Sequence, residues 1–288
     1  MNKIIAILLL QVSVIAAFAQ TAPTLQQVWI TDTTLRTPES AHYDPIKDII
    51  YVANINGISK DTKDGDGFIS IVKIDGKIEN LKWVSGLNDP KGMAAYKGKL
   101  YVSDIDQVVE IDIEKGTVIK KYDVPGAIFL NDVAITINGD VLITDSGANK
   151  AYKLINGKVT LWLDNADLNK PNGLFVEGTT IFLASMNSGI VRKVDPATNK
   201  LSPWVEGVPS VDGIASDGRG NYYFSNWNGQ IYYSNAKGGQ AIKILDTTEK
   251  KINSADIDYA ERHNYILVPT FFKNSLVAYK VIKPIKKK

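Results

Sequence analysis

Six short segments begin with Glu39, Lys91, Asn131, Asn172, Asp212 and Ala255, and each runs into an apolar stretch. Four of these first residues carry hard oxygen donors, two carboxylates and two amides. Brought to a common axis, they would be crowded where desolvation is costly unless something binds them. A hard divalent cation, calcium above all, wants such a set: carboxylate and amide oxygens, two negative charges, and water in the remaining positions. Asn and Asp also open turns as local caps, an explanation that suffices for one position and strains at four equivalent ones. Lys91 brings a cation to the same place, where it either holds an anionic substrate or offsets the carboxylates.

A second polar series follows one hairpin later: Asn54, Asp104, Asp145, Ser185, Asn226 and Thr270. If the hairpin is short, these residues return to the same rim. Asp104, Asp145 and Asn226 are then candidates for substrate contact or for orienting the cation's ligands; the alternative is a solvated strand end.

The elements that must position both series form a repeat. Lys91-Gly-Met-Ala-Ala-Tyr precedes Leu100-Tyr-Val-Ser-Asp104, Asn131-Asp-Val-Ala-Ile-Thr precedes Val141-Leu-Ile-Thr-Asp145, and Asp212-Gly-Ile-Ala-Ser-Asp precedes Tyr222-Tyr-Phe-Ser-Asn226. The period is about 40 residues, except for 52 after the first copy, where Asn56–Gly67 is inserted. Gly, Asn, Asp and Pro punctuate each short apolar run, and no segment sustains a helical period. Four strands per repeat, six times, predicts an all-β, six-bladed propeller. A solenoid of this period would need capping repeats that the chain does not display. The sixth copy has three strands of its own, and Gln27–Asp32 is expected to supply the fourth, closing the ring and removing its open edges. With the first strand of each copy innermost, the six anchors face the axis.

Composition narrows the chemistry. The chain has 288 residues, no cysteine and two histidines, His42 and His263. Thiolate chemistry, cysteine zinc sites and disulfides are excluded, and a His-ligated zinc centre or a Ser-His-Asp triad has little to draw on. Thirty-three basic against 31 acidic residues argue against a nucleic-acid surface. Asp217-Gly-Arg-Gly220 opens no helix and reads as a hairpin turn rather than a phosphate cradle. Met1-Asn-Lys3, the apolar run Ile4–Phe18 and Ala17-Phe-Ala19 have the form of a secretory signal peptide. Cleavage after Ala19 leaves residues 20–288 as one domain with a short basic tail, expected in a periplasm or secreted, with no stable membrane anchor.

Pro38-Glu39, Leu130-Asn-Asp-Val133, Pro171-Asn-Gly-Leu174 and Val211-Asp-Gly-Ile214 resemble the SMP-30/gluconolactonase/LRE-like family across essentially the whole mature chain. The resemblance implies a divalent cation held by Glu39, Asn131, Asn172 and Asp212, with Asp212 also the base or nucleophile in hydrolysis of a lactone or related ester. It implies a small-molecule substrate, which Lys91 would help to bind; the protein is expected to act as a monomer. Lys91 and Ala255 depart from the family pattern. The competing reading is a non-catalytic propeller resembling the NHL-repeat proteins, which binds a small ligand, peptide or glycan.

Overall fold

The computed structural model describes residues 22–58 and 62–284. The expected signal peptide and the end of the basic tail lie outside them. Among the described residues no helix is long and apolar enough to cross a membrane.

Six antiparallel sheets follow one another in chain order around a ring. Their innermost strands are Pro38–Asp44, Pro90–Tyr96, Leu130–Ile135, Pro171–Glu177, Val211–Ser216 and Asp258–Ala260. Each blade then steps outward through strands joined by tight turns. Blade four gains a fifth short strand, Gly239–Gln240, lent by blade five and parallel to Leu201–Glu206. The six-bladed all-β expectation therefore holds.

Closure also follows the expected route, with a shifted boundary. Thr24–Ile30 pairs antiparallel with Leu276–Ile282 and completes blade six. Thr31 lies beyond the strand because its hydroxyl and amide are used as a clip. Its backbone N–H donates to the Leu276 carbonyl at 2.9 Å, and its Oγ1 accepts from the Leu276 amide at 3.0 Å.

Cohesion comes from between the blades. Each of the six interfaces buries its own apolar cluster; Tyr51, Ile69, Leu100 and Val109 join blades one and two, and Phe182, Trp204, Ile214 and Phe224 join blades four and five. Strands covered on both faces need no polar side, which is why Ile49–Val52 or Tyr222–Phe224 read as unbroken apolar runs. The Asn56–Gly67 insertion leans on blade two, where the Gly65 amide donates to Asn88 Oδ1 at 3.2 Å and Lys63 pairs with Asp106 at 2.7 Å.

Candidate functional site

A β-bulge aims the anchors. The pairing of the first two strands slips between Pro38 and Ser40, Pro90 and Met93, Leu130 and Val133, Pro171 and Leu174, and Val211 and Ile214. In each of these five blades the slip brackets the anchor, and a bulge re-aims a side chain that regular alternation would turn elsewhere. The ladder it interrupts is repaired by hydroxyls. Thr144 Oγ1 accepts from the Asp132 amide at 2.9 Å and donates to the Asn172 carbonyl at 2.7 Å; Ser225 Oγ accepts from the Gly213 amide at 2.8 Å; Ser103 donates to the Asn131 carbonyl.

The residue after the anchor is glycine in three blades because neighbouring blades nearly touch there. A Cβ on Gly173 would stand 2.2 Å from the Asp212 carbonyl oxygen, and one on Gly213 would stand 2.6 Å from the Ile257 backbone nitrogen. Gly173→Ala is expected to destabilise the protein by about 1–3 kcal/mol through overpacking against backbone. An unchanged denaturant midpoint would contradict the close approach.

Glu39, Lys91, Asn131, Asn172 and Asp212 are all buried and line one pocket of about 320 Å³. Asn172 Nδ2 donates to Asp212 Oδ1 at 2.7 Å, tying the anchors of blades four and five together. Asn131 Nδ2 donates to Ser146 Oγ at 3.3 Å, and that hydroxyl donates to the Pro171 carbonyl at 2.6 Å. Lys91 Nζ lies 4.1 Å from the centre of the Phe129 ring and donates to the Asp89 carbonyl at 3.3 Å. Among the described residues, Glu39 Oε2 is buried without a hydrogen-bond partner. Ala255 is buried too, but packs with Ile55, Phe271 and Trp227 instead of adding a polar group.

Electrostatics follow from that crowding. Burial, reinforced by the charge of Asp212, holds the Glu39 carboxyl well above the usual range, and Lys91 offsets it only in part. Burial pushes Asp212 up to about 7 against the opposing hydrogen bond from Asn172. An orphaned carboxylate oxygen beside a second buried carboxylate and two amides is the donor chemistry of a hard-cation site, so the residues present fit the expected ion. Among the described residues no three His, Cys, Asp or Glu side chains are grouped to hold a metal; a cation at the axis would rest on two carboxylates and two amides.

The second polar series has a different job. Asp104, Asp145 and Asn226 are buried rather than solvated, and none lines the pocket. Asp104 accepts from the Asn88 and Asp89 amides, Asp145 from those of Ile128, Phe129, Gly147 and Ala148. Asn226 accepts from the Asn228 amide and donates to the Pro209 carbonyl. Each side chain fastens the loop that enters its own blade's innermost strand. The expected substrate contacts are thus loop fasteners, and their polar atoms are spent on backbone.

Sequence reasoning passed over Asp132 and Asp256, which follow the anchors of blades three and six. With Asp258 and His42 they line a second cavity of about 190 Å³ further along the same strands. Asp132 accepts from the Leu174 amide at 2.6 Å, and Asp256 from the Ser40 hydroxyl at 2.7 Å. Burial raises Asp132 to about 7 and Asp256 well above the carboxylate range, the latter reinforced by Asp132 and Glu39. The signal for them was the polar residue standing where blades two, four and five have glycine. A carboxyl whose folded pKa exceeds its unfolded value of about 3.9 binds more protons when folded, so its contribution weakens stability as pH rises between the two values. Cation-free protein is therefore expected to melt at lower temperature at pH 8 than at pH 5. Asp256→Asn should flatten that slope; a melting temperature that climbs with pH across this window would refute the crowding.

Comparison with known proteins bears on the fold. No family model matches the sequence, and no curated protein matches it. Among solved structures, selenomethionine-substituted virginiamycin B lyase from Staphylococcus aureus superposes with a TM-score of 0.65 at 11% identity, covering 90% of this chain and all of that one. A catalytically inactive variant of the same enzyme with quinupristin gives 0.64 at 12% identity, with the same coverage. At such identity the likeness shows a shared propeller architecture. The resemblance to the SMP-30 family rests on the anchor motifs alone.

Proposed function

We propose that this protein is a metal-dependent hydrolase of a lactone or related ester, working at the channel mouth. The observation that carries the reading is the convergence of Glu39, Asn131, Asn172 and Asp212 on one pocket, with a Glu39 oxygen left unpartnered inside it. These four would hold a divalent cation, calcium by the hardness of the donors. Bound there, such a cation supplies Lewis-acid polarisation of the substrate carbonyl and charge stabilisation for the oxyanion.

The chain's own residues do the rest. Asn172 fixes one oxygen of Asp212 by hydrogen bond, which orients the other for work. As base, Asp212 takes a proton from water as water adds to the carbonyl; as the ring C–O bond breaks, it returns that proton to the leaving oxygen, giving the alcohol of a hydroxy acid. As nucleophile, its carboxylate adds to the carbonyl and the ring C–O bond breaks; water then cleaves the acyl intermediate, freeing the Asp212 carboxylate and supplying the proton that makes the alkoxide an alcohol. Lys91, buried on Phe129, presents its ammonium to an anionic substituent or to the developing charge. The leader-like N-terminus supports placing this activity outside the cytoplasm, in a protein that works as a monomer on a small molecule.

The presence of Lys91 in the ring favours a second reading, a non-catalytic binding propeller in which the ammonium is the internal counter-ion. A lactone and ester panel with calcium or with chelator separates them. Turnover that chelation removes and calcium restores supports the hydrolase; ligand binding without turnover, insensitive to chelation, supports the binding module.

A further inference from the structure

One side of the pocket is built from Phe271, Trp227 and Ile55. In a six-membered ring blade six stands across from blade three, so Phe271, flanked by Trp227 of blade five and Ile55 of blade one, faces the side of Lys91, Asn131 and Asn172, where Phe129 and Met186 also line the pocket. Phe271, Ile55 and Ala255 form a small cluster with Trp227, separate from the six that hold the blades together.

Phe271 is also held at a price in backbone conformation. Its φ of 48° lies in the left-handed region, where a bulky aromatic residue is an outlier. Such strain persists where the surroundings over-determine it, and it gathers at ligand sites. Here the Thr270 amide donates to the Ser275 carbonyl at 2.9 Å, the Asn274 amide to the Phe271 carbonyl at 3.1 Å, and the Thr37 amide to Asn274 Oδ1 at 2.9 Å. The turn delivers an aromatic group to the mouth. Phe271 meets Trp227 edge-on at 5.5 Å and Phe272 at 4.8 Å, while Phe272 remains 52% exposed.

We infer that this aromatic wall is a subsite for an apolar aryl or branched alkyl substituent on the substrate. The assignment of that substrate as a lactone or ester rests on the hydrolase reading; the wall itself does not. A pocket of about 320 Å³ accepts a small ring with one substituent. A polyhydroxylated lactone would set hydroxyls against Phe271 and Ile55, which offer them no hydrogen bond, and that is unfavourable.

The test compares γ-butyrolactone, γ-phenyl-γ-butyrolactone and glucono-δ-lactone as substrates, with calorimetric binding of 2-phenyltetrahydrofuran, which has no scissile bond. Each methylene-sized increment reaching the wall should raise kcat/KM about fourfold. The phenyl lactone should accordingly exceed the unsubstituted one by more than tenfold. Trp227→Ala and the milder Trp227→Leu should reduce that preference while sparing γ-butyrolactone. Binding of the ether that is lost in both variants, with no lactone turned over, would uphold the subsite and overturn the hydrolase reading. Turnover favouring glucono-δ-lactone, with no ether binding, would overturn the subsite and leave the hydrolase standing. Neither binding nor turnover would overturn both.

Discussion

Replacing Asp212 with Asn is expected to lower kcat of lactone hydrolysis by about 10²–10⁴-fold, the range that a positioned base contributes, while leaving the propeller folded. Both halves of the expectation follow from its surroundings. Asp212 is buried beside Glu39, and burial already disfavours its charge. A neutral isostere removes that unfavourable charge without opening a cavity, and its amide oxygen can still accept the hydrogen bond that Asn172 now gives at 2.7 Å. The cation-free variant should therefore melt at or above the wild-type temperature at pH 8. An amide cannot take a proton from water or attack a carbonyl as a carboxylate does, so the chemical step fails. Residual activity within tenfold of wild type would remove Asp212 from the mechanism. A large fall in melting temperature would make it a structural residue.

The second large effect is on stability. A ligand at a hundred times its dissociation constant adds about 2.7 kcal/mol to the folded state, which for a domain of this size is a rise of about 5–10 °C in Tm. Chelated protein given millimolar calcium should show that rise, and Glu39→Gln and Asp212→Asn should each lose most of it. The unpartnered Glu39 oxygen and the raised carboxyls around it are the physical cause: a divalent cation relieves repulsion that one lysine leaves partly uncompensated. Lys91→Met is the informative companion. Removing a like charge from the mouth should strengthen calcium binding if the ion sits at the axis. If wild type shows no rise, Lys91 is the counter-ion and the site is a binding pocket of another kind.

The sequence by itself determined the ring. A forty-residue period, apolar runs of strand length and turn residues between them are local features, each fixed by a few neighbouring side chains, so the six copies, the inserted loop and the completing N-terminal strand could all be read without a tertiary contact. The anchors were legible for the same reason, since Glu39, Asn131, Asn172 and Asp212 hold equivalent positions in their repeats. Tertiary structure decided which polar residue of each repeat meets the cavity. Side chains alternate across a strand, and one bulge changes which of them faces the axis. Hence Asp104 and Asp145, as acidic and as regularly placed as any anchor, turn to backbone amides, while Asp132 and Asp256 enter the channel. The aromatic wall was out of reach for a related reason. Ile55, Trp227 and Phe271 come from three blades, and Phe271 gets there only through a left-handed turn clamped by Thr270, Ser275 and Asn274. Local propensity disfavours that conformation, and only contacts between distant parts of the ring hold it.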